Sequence, residues 1–342
     1  MEKQNLHQFA PNLHKKYLLF ILNGKLPSSQ SSMDTNRSVL MYFAVSGLDI
    51  LGEIHNIPKE RRKSIIDWIY SLQVVNEEEL VSGFQGSTTL NTAGNNTIYK
   101  WAHIANTYSC LVTLLILGDD LKRVNKQAIL DSLKTLQQPD GSFKGAKEGV
   151  ESDMRFVYCA ASICYILDDW SCINMESMIE FILNSISYDG GIGQGPELES
   201  HCGSTFCAVA SLALSKNLDR LTKAQFVALR RWLLYRFDGG FNGRPNKPID
   251  TCYSFWTGGA LKILDAYEFI QNENNDQYVL MTQDRYGGFS KWVNVVPDPM
   301  HTYLGLAGLS LMGFGGLTEM YCELNITTRT FDHLIDIQGT IK

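Results

Sequence analysis

The sequence predicts an all-α fold, an α/α toroid in which one ring of helices encloses another, and three observations predict it. The first is a glycine turn that recurs at a fixed period. D-G-S-F begins at Asp140, D-G-G-I at Asp189, D-G-G-F at Asp238 and Y-G-G-F at Tyr286, spaced 49, 49 and 48 residues. S-G-F at Ser82 to Phe84 is an earlier, more divergent copy. A period near 50 marks a repeat architecture; Kelch propellers share it, so content must decide. The second observation supplies that content. Each turn and its loop lead into an apolar segment of 11 to 13 residues, at 155–167, 204–214, 252–264 and 301–312. These segments show no strand alternation, and their length favours buried helices. The third is an amphipathic stretch in each unit. In 221–237 it carries Ala224, Val227, Leu229, Trp232 and Leu233 among polar residues. Such helix pairs stack so that one ring is buried inside the other. The chain reads as one domain over 1–342, with the repeats most regular over 82–315. The glycines provide positive φ in tight turns, so the period speaks of fold and not of function.

Composition narrows the class. The 342 residues are 44% hydrophobic and 19% charged, enough for a large core. No apolar run reaches the roughly 18 residues of a membrane span. The first 16 residues lack the apolar core of a secretory signal. Eight cysteines without a C-x-x-C pair, most of them among Ala, Ile and Leu, suit reduced thiols in a cytoplasmic protein. The sequons at Asn95 and Asn325 are therefore expected to carry nothing. A net charge of −6 tells against nucleic-acid binding.

Function enters at the start of each inner helix. Arg155, His201, Asp250–Cys252–Tyr253 and His301 occupy equivalent positions in successive repeats, and equivalent ends of a ring converge on one mouth. Helix N-termini favour anions there. Asp250, Cys252 and His301 make three metal donors with a fourth position open, the pattern of a catalytic zinc site. The alternative is a helix cap at Asp250, a small core residue at Cys252 and a second cap at His301. Arg244 and Lys247 lie within six residues of Asp250. Cations beside a metal point to an anionic substrate such as a phosphate ester. Phe206, Tyr253, Phe255, Trp256, Tyr303 and Leu304 are candidate cavity lining, with plain core packing as the alternative.

The run G-R-P-N-K-P-I-D-T-C-Y-S-F-W (243–256), with E-S-H-C-G-S-T-F (199–206) and G-G-F-S-K-W…P-D-P-M-H-T-Y (287–303), resembles the β subunits of the CaaX protein prenyltransferases. The narrower likeness, over roughly residues 30 to 315, is to the type I geranylgeranyl branch. It implies a toroid β subunit paired with a helical-repeat α subunit. It also implies transfer of geranylgeranyl from its diphosphate to the cysteine of C-terminal CaaX motifs, CaaL above all, on small GTPases of the Rho, Rac and Rap kinds. The resemblance places Asp250, Cys252 and His301 on the zinc ligands, one zinc per chain. It places His201, Cys202, Gly203, Arg244, Lys247, Tyr253 and Lys291 on the diphosphate, and Arg155 near the bound peptide's C-terminal end. Tyr253 as cavity wall and Arg155 paired with Asp153 or Glu151 are the structural alternatives.

Lys291, ten residues before His301, separates the branches. Farnesyltransferases carry an aspartate there that helps hold magnesium; a lysine ammonium supplies the charge itself, so magnesium is expected to be dispensable. Ser204 leaves room in the lipid cavity where farnesyl-specific relatives have an aromatic. The segment 36–49 resembles the family's first helix. Val39 stands where animal type I enzymes have threonine, whereas Met41 is bulkier than the usual alanine, a departure that tells against strict geranylgeranyl selection. Cys202 replaces a glycine and reads as a tolerated substitution. The alternatives are a farnesyltransferase β subunit, a terpene cyclase and a non-catalytic scaffold. A cyclase needs an acidic motif in the cavity, for which Asp168–Asp169 is a near match that lacks the spacing.

Overall fold

Thirteen α-helices occupy the described residues of the computed structural model, which describes 8–24, 28–76, 80–89, 101–270 and 272–341. Asn95 lies outside them. In chain order the helices are α1 (Pro11–Leu22), α2 (Arg37–Ile50), α3 (Lys59–Ser71), α4 (Ile104–Ile116), α5 (Lys126–Leu136), α6 (Met154–Ile166) and α7 (Met175–Asn184). They continue as α8 (Cys202–Leu214), α9 (Lys223–Leu234), α10 (Tyr253–Ile263), α11 (Asn272–Met281), α12 (Pro299–Leu311) and α13 (Thr328–Ile341). The even-numbered helices form the inner ring. Each packs on the next, and α12 returns to α2 to close it. Their composition explains the placement, because a helix apolar on every side can only be buried on every side. Nearly every residue of α4 and α12 is buried. The odd-numbered helices carry a single apolar stripe, such as Ile129, Leu130, Leu133 and Leu136 on α5. On α9 the stripe is Leu229, Trp232 and Leu233. Ala224 and Val227 lie off it and are exposed, a correction to the apolar set read from the sequence. The four predicted inner helices begin and end within two residues of the observed ones.

Each glycine turn drives its next apolar residue inward. Phe143, Ile192, Phe241 and Phe289 are fully buried, each contributing about 1.5–3 kcal/mol of transfer free energy. The turn requires glycine at Gly141 (φ 90°) and Gly287 (φ 98°). A Cβ at either would meet a carbonyl oxygen, that of Ser177 or of Leu13.

The Gly287 turn is also where the N-terminal helix closes the outer ring. His14 of α1 is fully buried, 4.3 Å from the Phe289 ring. Its Nδ1 accepts from the Gly288 amide at 3.0 Å, so Nε2 carries the proton and donates to Gln283 Oε1 at 2.9 Å. That pattern requires the neutral ring, and burial lowers its pKa from 6.5 to about 4, against a smaller rise from Gln283. The depressed pKa adds stability that is fully present above pH 6.5 and is lost as pH falls from 6.5 towards 4. The unfolding free-energy gap between wild type and His14→Phe should therefore narrow on acidification from pH 7.5 to 4, by up to roughly 3 kcal/mol. A gap that ignores pH would show that His14 does not bear this load.

The opposite end of the ring is closed by the C-terminal segment. Two short hairpins accompany the helices, β1 (Gln73–Val74) with β2 (Gly83–Phe84) and β3 (Met320–Tyr321) with β4 (Ile326–Thr327). Buried Asp49 accepts from Arg329 Nε at 2.7 Å, Thr327 Oγ1 at 2.6 Å and Thr330 Oγ1 at 2.7 Å. Arg329 also donates to the Ile116 carbonyl at 2.8 Å, tying α13 across the C-terminal ends of α2 and α4. Only the N-terminal ends of the inner helices are left to form a mouth.

Candidate active site and metal centre

Short capping side chains set the mouth. Asp153 accepts from the Arg155 amide at 2.9 Å, His201 Nδ1 from Gly203 at 3.0 Å, and Asp298 from His301 at 2.9 Å. Asp250 Oδ1 accepts from the Cys252 amide at 3.0 Å, which fixes its carboxylate in the turn that leads into α10. That bond leaves its other lone pairs for a ligand. Asp250, Cys252 and His301 are all buried, and their donor atoms lie within 4.8 Å of one another.

These three groups fit a cation better than they fit each other. His301 Nε2 is buried without a hydrogen-bond partner, although Asp250 Oδ1 is 3.2 Å away. Its Nδ1 is engaged with Asp298 Oδ2 at 2.6 Å, which orients the ring and aims Nε2 at the cluster. Burial, then the charge of Asp250, push the Cys252 thiol well above its ordinary range. For Asp250, burial favours the neutral acid, but the contacts with His301 and Cys252 outweigh it and hold the carboxyl low. Burial would lower His301, yet Asp250 and Asp298 raise it from 6.5 to about 9. A divalent ion would accept the orphaned nitrogen and offset the carboxylate charge. A mixed S, N and O donor set with an open position is that of a catalytic metal centre.

A group of hydroxyl, imidazole and cationic side chains adjoins it. Tyr253 Oη lies 2.9 Å from His201 Nε2. Burial, then Arg244, lower the His201 pKa, so the ring is neutral at pH 7. With Nδ1 accepting from Gly203, the proton is on Nε2 and bonds the Tyr253 oxygen. The Tyr253 hydroxyl proton is left to donate to an oxyanion. Arg244 pairs with Glu199, and Lys247 is exposed. Lys291 Nζ is 3.7 Å from Asp250 Oδ2 and 4.6 Å from the Trp292 ring centroid, which puts its ammonium beside the metal cluster. Arg155 pairs with Asp153 at 2.6 Å and Glu151 at 3.4 Å while facing the cavity.

Below the mouth lies an apolar cavity of about 400 Å³. Ser204, Trp256, Tyr303 and Leu304 line it, as do Arg155, His201, Gly203 and Val39. Phe206, Phe255 and Tyr253 do not: the first two are fully buried and pack on each other and on Trp256 behind the wall, and Tyr253 turns to His201 instead. Cys202 is also turned away from the mouth. Its buried thiol donates to the Asn242 carbonyl at 3.4 Å, and burial raises its pKa to about 12. Met41 lines a separate groove with Ile21, Leu22 and Trp68, so its bulk does not narrow this cavity. Asp168 and Asp169 follow the C-terminal end of α6 and do not line the cavity.

Several site residues escaped the sequence reading. Asp298 is one: an Asp three residues before His301 at a helix start is a capping signal, and here it also orients the His301 ring. The cavity floor is a set of tyrosine hydroxyls. Tyr42 and Tyr303 are 3.1 Å apart, Tyr108 donates to the Leu324 carbonyl at 2.9 Å, and Tyr303 donates to Asn325 Oδ1 at 2.7 Å. Asn325, the described sequon residue, is itself buried.

Comparison with known proteins places this geometry in company. A profile of the prenyltransferase alpha-alpha toroid domain matches residues 9–326. The geranylgeranyl transferase type-1 subunit beta of Arabidopsis thaliana is 38% identical over 337 residues, covering 93% of this chain and 89% of that protein. Its counterpart in Dictyostelium discoideum is 37% identical over 323 residues, covering 89% and 91%. The solved Candida albicans protein geranylgeranyltransferase-I complexed with GGPP superposes with a TM-score of 0.86 at 28% identity, covering 96% of this chain and 99% of that one. No helix of the described residues is long and apolar enough to cross a membrane.

Proposed function

We propose, on the premise that this chain belongs to the prenyltransferase α/α toroid family and is a geranylgeranyl transferase type I β subunit, how its site performs the transfer. The lipid diphosphate lies with its prenyl chain in the cavity and its diphosphate at the mouth. The acceptor is the cysteine of a C-terminal CaaX peptide. The observation that carries this reading is the junction of the Asp250–Cys252–His301 cluster with the His201–Tyr253 pair at the rim of one apolar cavity.

Asp250, Cys252 and His301 would hold one zinc ion, and Asp298 keeps His301 in the ligating orientation. Zinc bound there supplies an electrophilic site for the substrate sulfur, making it thiolate at neutral pH. Sulfur attacks C1 of the prenyl chain, the C–O bond breaks, and diphosphate departs. Tyr253 donates its free hydroxyl proton to the departing oxygens, with His201 fixing its orientation. Arg244, released from Glu199, Lys247 and Lys291 supply positive charge where negative charge grows. The Gly203 backbone forms the rim, and Arg155 stands over the peptide's end. The Cys202 thiol takes no part. The aromatic rings of Tyr42, Tyr108 and Tyr303, whose hydroxyls bond to one another and to the backbone, accommodate the chain's far end.

The likeness further implies an α subunit partner and cytoplasmic small GTPases as substrates. Of the cations named above, Arg244 and Arg155 are already paired to carboxylates. The chain should therefore be inactive alone and active when co-expressed with a prenyltransferase α subunit, measured as transfer to a CaaL peptide. Full activity from the isolated chain would refute the heterodimer.

A further inference from the structure

Eight cysteines are present, and two of them meet far from the mouth. Cys164 is in the last turn of α6, and Cys172 is in the connection to α7. Their sulfurs are 3.8 Å apart and hydrogen-bonded. The chain reverses tightly between them, with Asp168 at φ 49° and the Asp169 amide donating to the Cys164 carbonyl at 3.0 Å. We propose that Cys164 and Cys172 are an oxidisable dithiol, a modification site that closes to a disulfide with a low-molecular-weight disulfide and staples the turn between α6 and α7.

Three features support the pairing. The spacing is C-x7-C, invisible to a search for C-x-x-C, and the turn folds it into contact. Both cysteines are buried, Cys164 fully and Cys172 with 9% of its surface exposed, and the neighbouring Ser171 is exposed, so Cys172 is the nearer of the two to solvent. The hydrogen bond between the two sulfurs lowers the pKa of one thiol of the pair and raises the other, and the lowered one is the less buried Cys172. The other seven are raised, six of them chiefly by burial and Cys164 chiefly by that same bond. The thiolate is the nucleophile in such exchange.

The sequence of events balances. Cys172 thiolate attacks one sulfur of an oxidant such as glutathione disulfide, releasing one glutathione thiolate and leaving a mixed disulfide. Cys164 then loses its proton, attacks the Cys172 sulfur and releases the second glutathione. Two protein thiols are oxidised and one disulfide is reduced to two thiols. The turn also abuts the Gln338 side chain of α13, which donates to the Tyr165 carbonyl at 2.8 Å. The staple would thus fasten the region where the C-terminal helix seats on the ring, away from the metal cluster.

The test treats the metal-loaded heterodimer with graded glutathione disulfide, blocks free thiols under denaturing conditions and maps peptides by mass spectrometry. The expected result is a Cys164–Cys172 linkage that forms before any other cysteine is oxidised and disappears with dithiothreitol. Cys164→Ser should instead stop at a stable glutathione adduct on Cys172. Amide exchange over 167–174 should slow in the oxidised wild type. Two blocked, unlinked thiols at 164 and 172 when other cysteines have already reacted would overturn the proposal, as would a lasting glutathione adduct on Cys172 in the wild type.

Discussion

Replacing Cys252 with alanine is expected to remove the bound metal and lower turnover by about three orders of magnitude, with prenyl diphosphate binding retained. The size follows from two separable losses. A free cysteine is only a few per cent thiolate at pH 7, so losing metal activation costs about 30-fold. Losing the fixed position of the sulfur costs on the order of another 100-fold. Asp250→Ala and His301→Ala should do the same, because three donors are the minimum for a centre with an open position. The lipid should still bind, since His201, Tyr253, Arg244 and Lys247 are separate from the cluster. Metal content and lipid affinity, measured on the same preparations, check both halves. Stoichiometric metal and normal turnover in Cys252→Ala would remove the assignment.

Lys291→Ala is expected to cost on the order of 2–4 kcal/mol of transition-state stabilisation, by analogy with deleting one oxyanion donor. Its ammonium lies 3.7 Å from Asp250 and reaches the mouth, where a departing diphosphate would pass. Wild-type turnover should then persist when free magnesium is chelated under conditions that spare the tightly held metal. Lys291→Asp should be slow without magnesium and recover partly as millimolar magnesium is added, because a carboxylate recruits a hard cation to the diphosphate. Rate against free magnesium decides the matter. A wild type that depends steeply on magnesium, or an indifferent Lys291→Asp, would leave Lys291 outside the chemistry.

How much of this was legible depended on the range of the interaction. The inner helices are apolar on all sides, so their boundaries could be read locally to within two residues. The approach of Asp250, Cys252 and His301 followed from the repeat, since a ring places equivalent helix ends together. What failed was side-chain direction. Met41 lies two residues beyond Val39, roughly 200° further round the helix, and faces a different groove. Phe206 and Phe255 share the apolar character of true lining residues but pack against each other. The tyrosine floor joins α2, α4 and α12 to Leu324 and Asn325 across more than 200 residues, and no local pattern announces it. Cys164 and Cys172 were hidden by the αL turn that brings them together.

If this mouth and cavity transfer a geranylgeranyl group to a cysteine thiolate, the lipid must be chosen and joined to the peptide by the same site. The most direct measurement incubates the metal-loaded heterodimer with equal concentrations of geranylgeranyl and farnesyl diphosphates and a CaaL peptide, then weighs the product. The predicted result is a thioether of one geranylgeranyl group on the peptide's cysteine, in large excess over the farnesyl product. A predominantly farnesylated peptide, or lipid consumed with no peptide modified, would contradict it.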